Sequence, residues 1–304
     1  MNNFKRYDPW PAFAYEDFKP SAHLIHMLMQ IIGKLKLITP FEPEWSNVGL
    51  WVTSQGITTG LLPYKHAGFS VDVNLIAHQV YCTTTWGETS SFNLSSMSVA
   101  ELTTKVFICL KNLSIDLEIS PKPQEVPHPI LFHDDTESQA YDPAVINAWW
   151  RILVSTQRVM QQYHATFTGK TPSIALMWGT LDLREVRFNG KDVAPTGMNT
   201  GYIRRNAMDE QQVETGFWAG NEMYPHAAYY SFTYPQPQNI ASVTIEPNQA
   251  RWDDSLAEFI LHYEDVYKSS DPDNTLLSFF ESTYNEGAEL AHWNPKLSGL
   301  GHPI

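Results

Sequence analysis

Strand-like segments joined by very short connections are the feature that most constrains how this chain can fold. These segments lie at residues 34–39, 48–53, 58–62, 69–75 and 79–84. A parallel strand pair needs a crossover of roughly a dozen residues or more, which these connections do not contain. The turn residues at Ser54-Gln55-Gly56 and Trp86-Gly87-Glu88 indicate tight reversals. The segments therefore predict an antiparallel meander.

Helix signals flank the meander and recur in the second half of the chain. Ser98 and Glu101 have the spacing of a capping box, and Asp142-Pro143 and Asp271-Pro272 each place an N-cap before a helical proline. Together with apolar residues at helical spacing, these signals predict helices over 21–32, 99–113, 142–167 and 253–268 and from residue 271 onward. Later strands are predicted at 173–178, 180–188 and 228–234.

This order predicts an α+β fold, with a mainly antiparallel sheet flanked by helices in one compact unit. The predicted parts are an N-terminal arm at 1–20, an α-β-α half at 21–118, a proline-rich connection at 119–141 and a second α-β-α half at 142–304. In both halves a helix ends in Gly-Lys before strands begin, at Gly33-Lys34 and Gly169-Lys170. Two pseudo-repeated halves and a coincidental repeat both stay open, because residue identity between them is poor. Residues 191–214 show no period and are interpreted as a long loop.

Charge and motif content argue against several classes of function. The chain has 20 Lys and Arg against 33 Asp and Glu, so nucleic acids and anionic membrane surfaces would be repelled. It contains no bilayer-spanning apolar run and no secretory signal, and we expect a cytoplasmic protein without a nucleic-acid or membrane partner. No phosphate-binding glycine motif occurs in the right context, so no nucleotide cofactor is implied. Cys82 and Cys109 are interpreted as small buried residues.

His133-Asp134-Asp135 is the densest local cluster of side chains that could carry chemistry. A histidine with carboxylates can bind a divalent metal or transfer a proton. Adjacent side chains diverge in most backbones, however, so a solvated loop is the other interpretation. We predict no metal site and leave the role of this cluster open.

Charged and aromatic residues of the second half predict a binding site. Strand alternation would place Trp178 and Asp182 on one face, whereas Arg187 has the opposite parity unless a turn or bulge resets it. The simpler interpretation is a buried Asp–Arg ion pair. The functional interpretation is a carboxylate or anion site with an aromatic wall.

Three further segments contribute candidates. Glycines on both sides of Phe217 and Trp218 would present Trp218 either to a pocket or to the core, and Glu258 is predicted to lie on a helix. His26 and His78 are interpreted as core residues with satisfied hydrogen bonds. The ligand-binding residues predicted together are Trp178, Asp182, Arg187, Trp218, Tyr230 and Glu258.

Two hypotheses about function follow. The first is a small-molecule binding protein or enzyme with an aromatic-walled pocket, in which the rings stack on the ligand and the charged residues supply polarity. The alternative is a non-catalytic protein–protein interaction module with an acidic surface. A pocket with converging polar groups favours the first, and an exposed apolar patch over a dry core favours the second.

Short motifs occur in a fixed order along nearly the whole chain. They are Leu24-Ile25-His26, Gly56-Ile57-Thr58-Thr59, Tyr141-Asp142-Pro143, Phe167-Thr168-Gly169-Lys170, Trp178-Gly179, Gly216-Phe217-Trp218, Tyr234-Pro235-Gln236-Pro237 and Ser282-Thr283-Tyr284. Together they resemble the bacterial proteins grouped as domain of unknown function 5996. The resemblance implies one unit of about this length and implies no activity.

The chain departs from that family's pattern at positions that bear on chemistry. Ser138 stands where the family usually has a histidine before Tyr-Asp-Pro, and residues 209–212 replace a Ser-His-Glu element. Ala219 and His262 stand at positions of family prolines. If either histidine binds a metal or carries a proton in the family, this chain lacks that group, which argues against metal catalysis.

Overall fold

The computed structural model describes residues 7–194 and 202–298. In these residues the helices are α1 (Tyr15–Leu35), α2 (Val99–Asn112), α3 (Pro143–His164), α4 (Tyr202–Ala207), α5 (Tyr263–Tyr267) and α6 (Pro272–Leu290). The strands of the first half are β1 (Trp51–Val52), β2 (Gly56–Thr58), β3 (Leu62–Tyr64), β4 (Ala67–Asn74), β5 (Gln79–Thr84) and β6 (Thr89–Asn93). Those of the second half are β7 (Ala175–Met177), β8 (Asp182–Asp192), β9 (Glu210–Trp218), β10 (Ala228–Tyr234), β11 (Arg251–Asp253) and β12 (Glu258–His262).

The strands form two antiparallel sheets, which confirms the α+β class. The first sheet has the order β1-β2-β4-β5-β6 with β3 paired to β4, and the second has the order β11-β12-β10-β9-β8-β7. Leu50 and Leu176 exchange backbone hydrogen bonds of 2.9 and 2.8 Å, which join the two sheets where β1 approaches β7. The predicted meander is present from β1 to β6, with its reversals at the two turn motifs, but the strand predicted at 58–62 is two short strands, β2 and β3, separated by residues 59–61.

The hydrophobic core contains residues from both halves. A single cluster of buried apolar side chains includes Leu28 of α1, Val106 of α2, Trp149 of α3 and Phe280 of α6. Each half shows the order helix, sheet, helix along the chain. The predicted segment boundaries stay predictions, and so does the hypothesis that the two halves arose by duplication.

The helix starts follow the capping chemistry of the sequence. Ser98 accepts a hydrogen bond from the backbone of Glu101, Asp142 accepts from Ala144 and Val145, and Asp271 caps α6 in the same way. These side chains satisfy N–H groups that a helix leaves without partners. None of the helices in the described part of the chain combines the length and the apolar character needed to cross a bilayer.

The strand predicted at 34–39 is wrong. Helix α1 begins at Tyr15 and ends at Leu35, and a short 3-10 turn follows at Lys36–Ile38. Leu35 and Lys36 are both buried, and Lys36 Nζ donates to the carbonyl of Thr59 at 3.0 Å. The alternation of Leu and Lys thus arises from a lysine that is buried at the end of a helix, and not from a strand.

Two predictions for the second sheet are also wrong. Much of the loop predicted at 191–214 is structured, since β8 continues to Asp192 and β9 begins at Glu210; residues 195–201 of that loop lie outside the described residues. The helix predicted at 253–268 is the hairpin of β11 and β12 followed by α5. Tertiary pairing decides the second case, because β12 pairs with both β10 and β11 and buries Phe259, Ile260 and Leu261.

Candidate functional site

One face of the second sheet carries a group of buried charged residues. Arg184 of β8 lies opposite Gly216 of β9, and Gly216 lies opposite Tyr230 of β10. Because residues two apart in a strand share a face, Asp182 and Glu214 belong to the same face. Helices α3 and α6 contact this sheet, and Arg187 stacks with Tyr163 of α3 and Tyr284 of α6 on its other face.

Tyr230 reaches across β9 because Gly216 has no side chain. A Cβ at Gly216 would lie 2.4 Å from the phenol oxygen of Tyr230. The hydroxyl donates to Oδ2 of Asp182 and lies 3.1 Å from Oε1 of Glu214. Burial and these two carboxylates raise the pKa of Tyr230 well above its usual value, so the phenol keeps its proton.

The Asp182–Tyr230–Glu214 group can store and transfer a proton. Burial raises the pKa of Asp182 and of Glu214, against the lowering effect of Arg184, whose Nη1 lies 3.1 Å from Oε2 of Glu214. The single phenol proton cannot serve two ionised carboxylates at once. Burial favours a proton on the carboxyl groups, whereas Arg184 favours the ionised form of both, so the group holds its protons in a balance that a ligand can shift. Proton-holding carboxyls of this kind are suited to acid–base work.

A cavity of about 350 Å³ lies over this face of the sheet. Besides sheet residues, its wall comes from the 3-10 segment Pro43–Val48, the turn after β7, the proline-rich connection and the residues that end and follow α4. The lining residues are Glu44, Trp45, Val48, Glu125, Met177, Trp178, Gly179, Thr180, Asp182, Arg184, Ala207, Met208, Gln212, Glu214 and Phe232.

Glu125 reaches the cavity from the proline-rich connection. Gln30 of α1 holds the adjacent Gln124 by two hydrogen bonds to its backbone, of 2.7 and 3.1 Å. The Glu125 carboxylate packs on Gly179, where a Cβ would lie 2.0 Å from Oε2. Solvent reaches the side chain, yet partial burial and the negative charges of Asp182 and Glu214 raise its pKa.

Trp178 forms a fixed aromatic part of the wall. Its indole N–H donates to the carbonyl of Val48 at 3.0 Å. Its own carbonyl accepts from Nε2 of His26 at 3.1 Å, and that of Gly179 accepts from the same nitrogen at 3.0 Å. Burial lowers the pKa of His26 to about 4, so the imidazole is neutral and acts as a structural donor, as the sequence predicts.

Two polar atoms of the wall have no hydrogen-bond partner. Gln212 is 1% exposed, and its Oε1 accepts no hydrogen bond. Oε2 of Glu44 likewise accepts no hydrogen bond, whereas Oε1 accepts from Lys170 at 2.7 Å; burial and the nearby carboxyl group of Asp209 raise the pKa of Glu44. Buried polar atoms without partners are uncommon and call for an explanation.

Glu258 lies on the same sheet face beside this group. Ile260 pairs with Tyr230, and Glu258 is two residues before it on β12. Burial, followed by the charges of Glu214 and Asp182, raises the pKa of Glu258 to about 7. A carboxyl group with this pKa changes its charge close to neutral pH.

The structure brings together four of the six predicted ligand-binding residues. Trp178 and Asp182 line the cavity, and Tyr230 and Glu258 lie on the same face of the sheet. Trp218 shares the face but packs on Tyr224, with ring centres 5.1 Å apart, and does not line the cavity. Glu258 lies on a strand, which corrects the helix predicted there.

Arg187 lies on the opposite face, so the predicted pairing with Asp182 is wrong. Its guanidinium carbon lies 3.4 Å from the ring centre of Tyr163 and 4.3 Å from that of Tyr284. Its Nε lies 3.6 Å from Oε1 of Glu185. Strand β8 pairs regularly with β9 from residue 182 to residue 188, so the side chains of residues 182 and 187 lie on opposite faces of the sheet.

The His133 cluster does not converge. Asp135 is buried and lies 2.6 Å from Nε2 of His23, whereas His133 and Asp134 are exposed. Among the described residues, no group of three or more His, Cys, Asp or Glu side chains could hold a metal ion. His78 bonds to the hydroxyl of Tyr141 at 2.9 Å and lies in the turn before β5.

Several residues of the site escape sequence reasoning. Strand alternation could have placed Arg184 on the same face as Asp182. It could also have placed Glu214 on the same face as Gly216 and Trp218, once 210–218 is recognised as a strand. Glu125 and Glu44 lie in irregular segments, and no period in the sequence indicates their position.

The family comparison covers the residues of this site. The profile of the family of unknown function DUF5996 matches residues 10–299. The chain belongs to this family. For this member of DUF5996, a search of curated proteins and a search of solved structures each found no match.

Proposed function

We propose that this DUF5996 protein binds a small organic molecule in the cavity over the second sheet. The observation that carries the proposal is the cavity of about 350 Å³, which is within the range of small-molecule sites. Converging charged groups at its floor and raised pKa values of carboxyl groups are typical of functional sites.

The composition of the wall supports the same function. Trp45, Trp178 and Phe232 provide apolar surface against which a ligand can stack. The unpartnered Oε1 of Gln212 provides a polar contact that a bound molecule would satisfy. The Asp182–Tyr230–Glu214 group would let the same site donate or accept a proton, which leaves both a binding protein and an enzyme open.

The test is native mass spectrometry of the purified protein before and after denaturation, with a cavity-filling variant. A co-purified small molecule, or one acquired from a fragment mixture, is expected on the wild-type chain. Ala207→Trp places an indole in the cavity wall and should abolish the adduct. The matched control Ala165→Trp lies at an exposed helix end and should retain it.

A wild-type chain that carries no adduct and acquires none from the mixture would contradict this function. An adduct that survives equally in both tryptophan variants would place the ligand elsewhere. The first result would favour the alternative, an interaction module with an acidic surface, and the second would overturn the assignment to this cavity.

A further inference from the structure

The charged side chains among the described residues that line the cavity are predominantly acidic. They include the four acids Glu44, Glu125, Asp182 and Glu214, and one base, Arg184. Arg184 forms an ion pair with Glu214, and Lys170 pairs with Glu44 from beside the cavity. Glu125 and Asp182 form no salt bridge with a described side chain, and the one positive charge of Arg184 offsets only part of the negative charge of the four acids.

Two hydrogen-bond acceptors of the wall are left open. Oε1 of Gln212 and Oε2 of Glu44 are buried without a donor, and ionised carboxylates can only accept. A ligand that satisfies these atoms must therefore carry N–H or O–H donors. A neutral ligand with donors would satisfy these acceptors but would not neutralise the negative charge of the cavity. An anion would be repelled by that charge.

We infer that the ligand of this cavity is a small organic cation with N–H donors, an ammonium or guanidinium compound whose apolar part lies against Trp45, Trp178 and Phe232. The inference rests on the proposed function, because it names the class of molecule that the cavity binds. The ammonium or guanidinium group supplies both the missing charge and the missing donors. Aromatic faces add attraction, since their quadrupole favours cations.

Binding of such a cation is coupled to proton release. The titratable groups that act on Glu258 from the neighbouring strands and from its own hairpin are Glu214, Asp182, Asp253 and Tyr230. A cation stabilises the ionised carboxylates, so it lowers the pKa values that burial and like charges raise. Affinity should therefore rise as the pH increases through about 7 and fall as Glu258 and its neighbours take up protons.

The experiment is calorimetric titration of the full chain with benzylamine, benzyl alcohol and benzoate. These probes share one ring and differ in charge. We expect benzylamine to bind at least about tenfold more tightly than benzyl alcohol at about pH 8, and benzoate to show no binding. The advantage of benzylamine should shrink at about pH 6, and its binding should release protons into the buffer.

A matched pair of variants tests which charge matters. Glu125→Gln removes one negative charge at the edge of the cavity, and the solvent exposure of this residue limits the risk to folding. It should weaken benzylamine binding about fivefold and leave benzyl alcohol unchanged. Glu118→Gln changes an exposed residue directly before the proline-rich connection and should leave both affinities unchanged.

The outcomes separate this inference from the proposed function. If benzyl alcohol or benzoate binds as tightly as benzylamine, and Ala207→Trp abolishes that binding, the cavity binds ligands and the cation inference is overturned. If benzylamine binds equally well to wild type, Glu125→Gln and Ala207→Trp, the inference is overturned as well. If none of the probes binds and no adduct is found by mass spectrometry, both proposals fail.

Discussion

The hydroxyl of Tyr230 donates its hydrogen bond to Oδ2 of Asp182 across an intervening strand. The phenol passes over Gly216 of that strand, at a position where any side chain would collide with it. This contact connects β10 to β8 through side chains, and it places a protonated donor between two carboxyl groups. The charged floor of the cavity depends on this geometry.

Gly216→Ala should destabilise the protein by displacing the Tyr230 phenol. We expect the free energy of unfolding to fall by about 2 kcal/mol, because a methyl group overpacks the contact and the two carboxyl groups lose their donor. Urea denaturation of wild type and variant measures the change. In a Tyr230→Ala background the same substitution should cost far less, since no ring remains to collide with. Equal costs in the two backgrounds would contradict the assigned contact.

Glu258→Gln should stabilise the protein at alkaline pH and have little effect in acid. The folded state raises the pKa of Glu258 from 4.5 to about 7, so it binds this proton more tightly than the unfolded state does. That stabilisation is complete below pH 4.5 and is lost as the pH rises through about 7. At about pH 8 the variant should exceed wild type by about 2 kcal/mol in chemical denaturation. The exposed Glu264→Gln serves as control, and parallel pH profiles of Glu258→Gln and wild type would refute the assignment.

His26→Gln should reduce the sensitivity of the fold to acid. Burial lowers the pKa of His26 from 6.5 to about 4, so the unfolded state binds this proton more tightly. The contribution of the neutral imidazole to the free energy of unfolding is fully present above pH 6.5 and is lost as the pH falls through about 4. Between these values wild type should lose about 3 kcal/mol that the variant does not lose. Denaturation at several pH values measures the difference, and the exposed His133→Gln should behave as wild type.

Arg187→Met should destabilise the fold without changing the ligand site. The substitution leaves the buried carboxylate of Glu185 with its contact to His164 but without the guanidinium of Arg187, which costs about 3 kcal/mol. The cavity lies on the other face of the sheet, so the affinity for benzylamine should stay within about twofold of wild type. Urea denaturation and calorimetric titration check the two parts. A variant that keeps wild-type stability but no longer binds benzylamine would indicate that Arg187 belongs to the ligand site.

Local chemistry made much of the fold predictable. The helix starts at Ser98, Asp142 and Asp271 depend on hydrogen bonds within a few residues, and β5 and β10 have the bounds expected from their alternation. The α+β class follows from the same local signals. Strand alternation gave Arg187 the opposite parity to Asp182, and because β8 pairs regularly the ion pair favoured from the sequence does not form.

The errors occur where distant segments compete with local preference. Residues 258–262 carry a helix-like pattern, yet pairing with β10 and β11 makes them a strand. The Leu-Lys alternation around Lys36 resembles a strand pattern. Lys36 is instead buried at the end of a helix, because its amine donates to the carbonyl of Thr59. In both cases the deciding partner is remote in the chain, and single-sequence periodicity contains no information about it.

The sequence alone determined the fold class, the capped helices and the acidic charge, and strand alternation put Trp178 and Asp182 forward as residues of one site. The tertiary structure alone decided that Glu44, Glu125 and Gln212 meet these residues around one cavity. The physical reason is that local hydrogen bonding and side-chain alternation act over a few residues. Convergence of irregular segments onto a sheet is set by the packing of the whole core.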